Sequence, residues 1–196
     1  MTKKILLVSQ IFYPDQVSTA NLFTNLVETL KNDRGVDIDV WCAQPSYSSF
    51  ERQPKKIVYK NINICFLAST NYPKEIFIGR LLNYLTFTIS VCWKLFFCSG
   101  INIVLTHTTP PSLGIILAFI CKMKKLKFIY VLLDIFPDGL VRLGKMKNKS
   151  LFVRIWRKFS LAALKRSTKI VVIGRDMKSL LIDFYPNSTN KVSYIH

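Results

Sequence analysis

Histidine is nearly missing from this chain, which holds two in 196 residues. No second His or Cys stands near His107 in sequence to complete a metal site, so metal binding by these residues is disfavoured. Glycine is also sparse, seven in all, and neither G-x-G-x-x-G nor G-x-x-x-x-G-K-[ST] occurs. Ordinary dinucleotide binding and P-loop phosphate binding are therefore disfavoured. No Ser, His and acid arrangement and no G-x-S-x-G elbow supports nucleophilic catalysis. The five cysteines, at 42, 65, 92, 98 and 121, form no C-x-x-C pair and leave one over in any complete disulfide scheme. They read as reduced, mostly core thiols of a cytosolic protein. Ile5 to Val8 is too short an apolar run for a signal peptide, so no export signal is expected. Acids are scarce: 11 Asp and Glu face 28 Lys and Arg, a formal charge of +17. Such a surface attracts polyanions, whether nucleic acid, anionic lipid headgroups or phosphorylated substrates.

Half the residues are hydrophobic, enough for a sizeable core, and the length suits one domain, or one and a remnant. Apolar runs predict strands at Lys4–Gln10, Val36–Ala43, Ile101–Thr106, Phe128–Leu133, Lys169–Ile173 and Lys191–Ile195. A short pair, Ile57–Tyr59 and Ile62–Leu67, flanks Lys60-Asn61. Helical spacing predicts a helix from Ser18 or Thr19, as cap, to Arg34-Gly35, built on Leu22, Phe23, Leu26, Val27 and Leu30. Further helices are expected from Ser112 to Lys122, Leu151 to Arg166 and Asp176 to Phe184. Strands alternating with helices give an α/β fold with a Rossmann-like, doubly wound parallel sheet. No linker divides the residues into two domains. The chain stops at His196 directly after a strand, which reads as the amino-terminal part of something longer.

Chemistry is expected where strands end. In Tyr130-Val131-Leu132-Leu133-Asp134-Ile135-Phe136-Pro137-Asp138 an apolar strand runs into two carboxylates around a proline, at the sheet edge where ligands of such folds bind. Asp134 is either a ligand-facing group or a cap for the next segment. His107 ends another strand on the same edge and is a candidate hydrogen-bond partner for a ligand. The turn from Ile11 to Val17 leads into the helix at Ser18-Thr19, where unpaired backbone N–H groups suit an anion.

Two helices bear on the charge. Between Phe77 and Cys98, Arg80, Asn83, Thr86, Ser90 and Lys94 form a polar stripe on an otherwise mostly apolar helix. They leave no run of about 18 apolar residues, so a membrane span is not expected. The helix is either buried against the sheet or partly set in a membrane interface. From Arg142 to Lys178 there are twelve Lys and Arg against one acid, Asp176. Phe152, Ile155, Trp156, Phe159 and Ala163 share one face there, with Arg154, Arg157, Lys158 and Lys165 opposite. Such a basic amphipathic helix suits an anionic membrane surface or is a solvated face. Nucleic acid is the rival partner, without zinc spacing or an RNP-like motif to support it.

Ile5-Leu6-Leu7-Val8-Ser9-Gln10-Ile11-Phe12-Tyr13-Pro14-Asp15, then Thr108-Thr109-Pro110-Pro111, then Asp134-Ile135-Phe136-Pro137-Asp138 resemble, in order, motifs of the amino-terminal domain of family 4 glycosyltransferases. The bacterial cell-surface polysaccharide enzymes, with Y-F-x-P-E, T-S-P-P and D-L-W-P-E, are nearest in appearance. The resemblance implies the amino-terminal half of a GT-B fold, a retaining enzyme without a metal or cofactor, and a nucleotide-sugar as co-substrate. It places the acceptor on this domain and the donor on a carboxy-terminal one carrying E-x7-E, which this chain lacks. It also implies that Asp134 faces the acceptor hydroxyl, that Pro137 and Asp138 shape the loop with Asp138 contacting substrate, and that Ser18 and Thr19 lie near the donor phosphates. Many relatives have Gly-Gly where this chain has Val17-Ser18-Thr19. For the histidine that some relatives carry at a strand end, His107 is the candidate and Thr108 the alternative.

The expected function is sugar transfer to a lipid-linked acceptor in surface-polysaccharide assembly (O-antigen, capsule or exopolysaccharide), at the cytoplasmic face of the membrane. The alternative is a non-catalytic Rossmann-like domain that binds a membrane surface or nucleic acid.

Overall fold

The computed structural model describes residues 4–45, 51–73 and 75–195. The chain forms two compact units, Met1–Leu105 and Thr106–His196, each of which is described by itself. The first contains β1 (Ile5–Val8), α1 (Ser18–Asn32), β2 (Ile38–Cys42), β3 (Lys56–Tyr59), β4 (Ile62–Phe66) and α2 (Phe77–Phe97). A further strand, β5 (Ile103–His107), spans the boundary between the units. Within the first unit the strand order is β3-β4-β2-β1. β1 pairs parallel with β2, and β2 with β4, while β3 and β4 are antiparallel. Lys60 and Asn61 both take positive φ, 46° and 64°, as a two-residue hairpin turn requires. The buried centre includes Leu7, Val8, Val40 and Ile64 from the strands and Ala20, Phe23 and Val27 from α1. Leu22, expected on that inner face, is exposed. The residue before α1 is Val17, which makes no side-chain cap, so the capping role expected of Ser18 or Thr19 is not found.

α2, expected either buried or partly set in a membrane interface, has a face for each: Phe87, Val91 and Leu95 are fully buried, while another apolar row is exposed. Asn83, Thr86, Ser90 and Lys94 of its polar stripe face inward, while Arg80 is exposed. The Asn83 amide accepts from Thr70 Oγ1 at 2.9 Å and Tyr72 N–H at 2.9 Å, and donates to Tyr72 C=O at 2.9 Å. Thr86 Oγ1 accepts from Thr70 N–H at 3.0 Å, and Ser90 donates to Ala68 C=O at 2.5 Å. Lys94 Nζ lies 2.7 Å from Cys65 Sγ and 4.6 Å from the centre of the Trp41 ring. The cause is the backbone of residues 68–72, which lies outside any strand and whose polar groups need partners. The helix supplies them beside its own buried Phe87, Val91 and Leu95, and a second apolar row, including Ile78, Leu85, Ile89 and Trp93, is turned outward. Among the described residues no helix is long and apolar enough to cross a membrane.

The second unit contains α3 (Pro111–Met123), β6 (Lys127–Leu132), α4 (Asp138–Arg142), α5 (Leu151–Arg166), β7 (Lys169–Val172), α6 (Arg175–Phe184), a 3₁₀ turn (Pro186–Lys191) and β8 (Val192–Tyr194). The order is β6-β7-β8, all parallel. The mostly parallel strands and intervening helices bear out the α/β class. α3 approaches β6 through Gly114, where a Cβ would collide with the Tyr130 ring. Ser150 caps α5 by accepting from Val153 N–H at 3.3 Å. The orientation of α5 differs from the helical-face reading: Val153, Ala163 and Leu164 are buried, while Phe152, Ile155 and Phe159 are exposed beside Arg154, Lys158 and Lys165.

Asn83→Ala would leave the Tyr72 N–H and C=O and the Thr70 hydroxyl without this partner. It should lower stability by about 2 kcal/mol, read from urea unfolding. A change within a few tenths of a kcal/mol would remove Asn83 as the anchor of α2.

Candidate functional site

β6 delivers Leu133 and Asp134 just past its carboxyl end. The Leu133 N–H donates to Thr108 Oγ1 at 3.2 Å. The same hydroxyl hydrogen-bonds the Asp134 carboxylate. A threonine just past β5 is thus tied to the first two residues beyond β6. Asp134 is exposed at the surface, yet protein packed against the carboxyl group's inner side withholds water. That desolvation raises its pKa above the ordinary 3.8, and the Thr108 hydrogen bond works against the rise. The result is an accessible carboxylate of increased basicity, aimed by a neighbouring hydroxyl. A cavity of about 30 Å³ beneath it is lined by Thr108, Tyr130 and Trp156 among others. That is room for about one water, so any larger ligand meets Asp134 from the open side.

Four residues on, Asp138 has the opposite fate. It is fully buried, and Arg157 clamps its Oδ1 through Nε at 2.6 Å and Nη2 at 2.5 Å. Tyr185 donates its hydroxyl to Oδ2 at 3.1 Å. Arg157 also donates Nη1–H to Asn148 Oδ1 at 2.7 Å. A carboxylate without water is tolerable only when paired and hydrogen-bonded. Asp138 therefore shapes the loop with both oxygens engaged inside the unit. Phe136 reinforces that loop by packing edge-on to Trp156, ring centres 5.1 Å apart. Arg157 and Tyr185 were not singled out by sequence. Arg157 looked like one of several outward cations of α5, and Tyr185 lies 47 residues from its partner.

His107, the last residue of β5, is fully buried. Its Nδ1 accepts from Thr109 N–H at 3.2 Å. Burial pushes its pKa down to about 3, so the ring is neutral around pH 7. Of the residues named from sequence, Thr108 and Asp134 are joined directly, whereas His107 and Asp138 lie in the interior. Ser18 and Thr19 belong to the first unit, in the opening turn of α1, with Ser18 exposed and Thr19 half-buried. The three resembling segments each contain a cis X-Pro bond, at Pro14, Pro110 and Pro137. Among the described residues no three or more His, Cys, Asp or Glu side chains gather as a metal site, and all five cysteines are free thiols.

No family model matches the chain. Over 83 residues it is 34% identical to WbjE of Pseudomonas aeruginosa, described as a probable glycosyltransferase, a segment covering 42% of this chain and 19% of WbjE. Three solved structures share its fold. Sucrose-phosphate synthase of Thermosynechococcus elongatus matches with a TM-score of 0.56 and 11% identity, over 98% of this chain and 88% of that one. Anabaena HepE, solved in complex with UDP, matches with 0.54 and 14%, over 98% and 43%. α,α-Trehalose 6-phosphate synthase of Burkholderia multivorans matches with 0.52 and 10%, over 94% and 43%. The chain thus spans less than half of the last two proteins and aligns with under a fifth of WbjE. It is glycosyltransferase-like in sequence over the matched segment, and its fold resembles GT-B glycosyltransferase domains.

Arg157→Met would strand the Asp138 charge in the interior and should cost about 3 kcal/mol. Adding Asp138→Asn should recover much of that loss. Urea unfolding of the two variants checks it, and a single-variant loss below about 1 kcal/mol, the range of an exposed ion pair, would contradict the role given to Arg157.

Proposed function

We propose that this chain is the acceptor-side domain of a retaining glycosyltransferase that moves a sugar from a nucleotide-sugar to a lipid-linked acceptor in surface-polysaccharide assembly. The observation that carries the reading is the Thr108–Asp134 pair: an accessible carboxylate of raised pKa, just past a β-strand and oriented by a hydroxyl. The partial identity with WbjE and the GT-B likeness supply the reaction class. UDP in HepE supports a nucleotide-sugar donor.

In this reading Asp134 accepts a hydrogen bond from the acceptor hydroxyl and takes its proton. The acceptor oxygen bonds to the anomeric carbon as the bond from that carbon to the phosphate oxygen breaks, and the electron pair leaves with the nucleoside diphosphate. The raised pKa makes Asp134 a better proton acceptor than an ordinary carboxylate. Thr108 is a positioning residue for it. His107, neutral and hydrogen-bonded to Thr109 N–H, holds the end of β5 that presents Thr108. The donor would be held chiefly by a second Rossmann-like domain of the protein containing this chain, with Ser18 and Thr19 near its phosphates. No cofactor and no metal enters the scheme. The cationic surface, including Arg154, Lys158 and Lys165 of α5, suits peripheral attachment to the anionic inner face of the cytoplasmic membrane.

In the protein containing this chain, Asp134→Asn should lower sugar transfer roughly 10²–10⁴-fold and leave the melting temperature nearly unchanged. Radiolabelled transfer from nucleotide-sugars, with a melting curve of each variant, checks both. Near-normal turnover would take Asp134 out of the mechanism. Nucleic-acid binding with no transfer from any nucleotide-sugar would favour a non-catalytic domain.

A further inference from the structure

The outward side of α2 is a continuous apolar stripe. Ile78, Leu81, Leu85, Ile89, Trp93 and Phe96 recur at steps of three or four and are all exposed, with Ile78 at 67%, Ile89 at 66% and Trp93 at 71%. From Ile78 to Phe96 the stripe runs roughly 27 Å at 1.5 Å per residue. Single exposed hydrophobics are ordinary, but an unbroken row of this length marks an interaction surface. The stripe lacks charged and hydrogen-bonding groups apart from the Trp93 indole N–H, because Asn83, Ser90 and Lys94 face their own unit.

We infer that α2 is a hydrophobic anchor that lies in the plane of an anionic phospholipid bilayer, with this stripe sunk into the headgroup–acyl boundary. Three observations choose lipid over a second copy of the chain. The chain carries +17, so pairing two copies brings like charges together whereas an anionic surface gains from the same charge. α2 presents one exposed cation, Arg80, and no acid from Phe77 to Cys98 that would repel lipid phosphates. Its carboxyl end bears an aromatic cluster, with Trp93 5.1 Å from Phe97 and Phe97 5.4 Å from Phe96. Such side chains favour the boundary between headgroups and acyl chains. A helix apolar on one side and too polar to span a membrane fits a position in the interface.

The inference deepens the membrane attachment named above and rests on it only for the choice of an anionic surface. Its energetics differ from those of the basic helix. Charge attraction fades when salt shortens the Debye length from about 10 Å at 0.1 M to about 3 Å at 1 M, while burial of apolar side chains persists. The test is flotation of the purified chain with vesicles of equal parts phosphatidylglycerol and phosphatidylcholine, at low and high salt. Wild type should float at low salt and keep a measurable bound fraction at high salt. Leu85→Ser with Ile89→Ser and Trp93→Ser should lower the high-salt partition by roughly tenfold or more, with an unchanged circular dichroism spectrum because these side chains are exposed. Arg154→Gln with Lys158→Gln and Lys165→Gln should lower only the low-salt binding. If the α2 variant partitions as wild type while the α5 variant does not, the anchor is overturned and the charge-based attachment stands. Wild-type dimers that the α2 variant dissociates, without flotation, would also overturn it. Transfer to a water-soluble acceptor, assayed separately in the protein containing the chain, tests the catalytic reading whatever the vesicles show.

Discussion

The buried Asp138 carboxylate is the constraint from which the candidate site takes its form. Once a charge sits in the interior, geometry around it narrows, because only close pairing and full hydrogen bonding offset the lost hydration. Arg157 and Tyr185 meet that demand from two other helical regions. They fix the start of α4 relative to α5 and the end of α6. The loop between β6 and α4 is then held at its far end by Asp138 and at its near end by the Leu133 bond to Thr108. Between those ties Asp134 reaches solvent. Two carboxylates in one short motif thus diverge: one serves the fold and the other is available for chemistry.

The same rule, that polar groups withdrawn from water need partners, explains the polar side chains that α2 turns inward in the first unit. Residues 68–72 run outside any strand, and Asn83, Thr86 and Ser90 bond to their backbone. Turning those side chains inward, next to the buried Phe87, Val91 and Leu95, leaves the apolar row from Ile78 to Phe96 outside. Losing an unmade buried hydrogen bond costs about 1–3 kcal/mol per group, comparable to what one buried leucine contributes. With several such bonds along one stripe, polar side chains share the interior with Phe87, Val91 and Leu95. An external apolar phase can then receive the other face.

Much of the architecture was legible because strands covered on both faces are continuous apolar runs. β1, β2, β5, β6 and β7 were each found that way, as was α5 from its 3.6-residue spacing and β3 and β4 from the Lys60-Asn61 turn. Helix orientation was harder to read. Periodicity reveals that α2 has two unlike faces, but which one turns inward depends on the distant Thr70 and Tyr72. Arg157 looked like any other cation of a basic helix until Asp138 lay beside it. Asp134 and Thr108 were legible as residues at strand ends, though nothing local announced that they share a hydrogen bond. The burial of His107 depends on neighbours brought together by the fold, and no motif encodes it. α4 is too short for a periodic signal.

The central claim is that Asp134 acts as a base whose strength is set by desolvation and trimmed by Thr108. The pH dependence of kcat/KM for sugar transfer, in the protein containing this chain, tests it most directly. The carboxylate must be ionised to accept the proton, so activity should fall on the acid side. Because the pKa is raised, that fall should come above the ordinary 3.8. Thr108→Val removes the hydrogen bond that favours the anion, so the acid limb should move to still higher pH. An acid limb that stays in place in Thr108→Val would contradict the account.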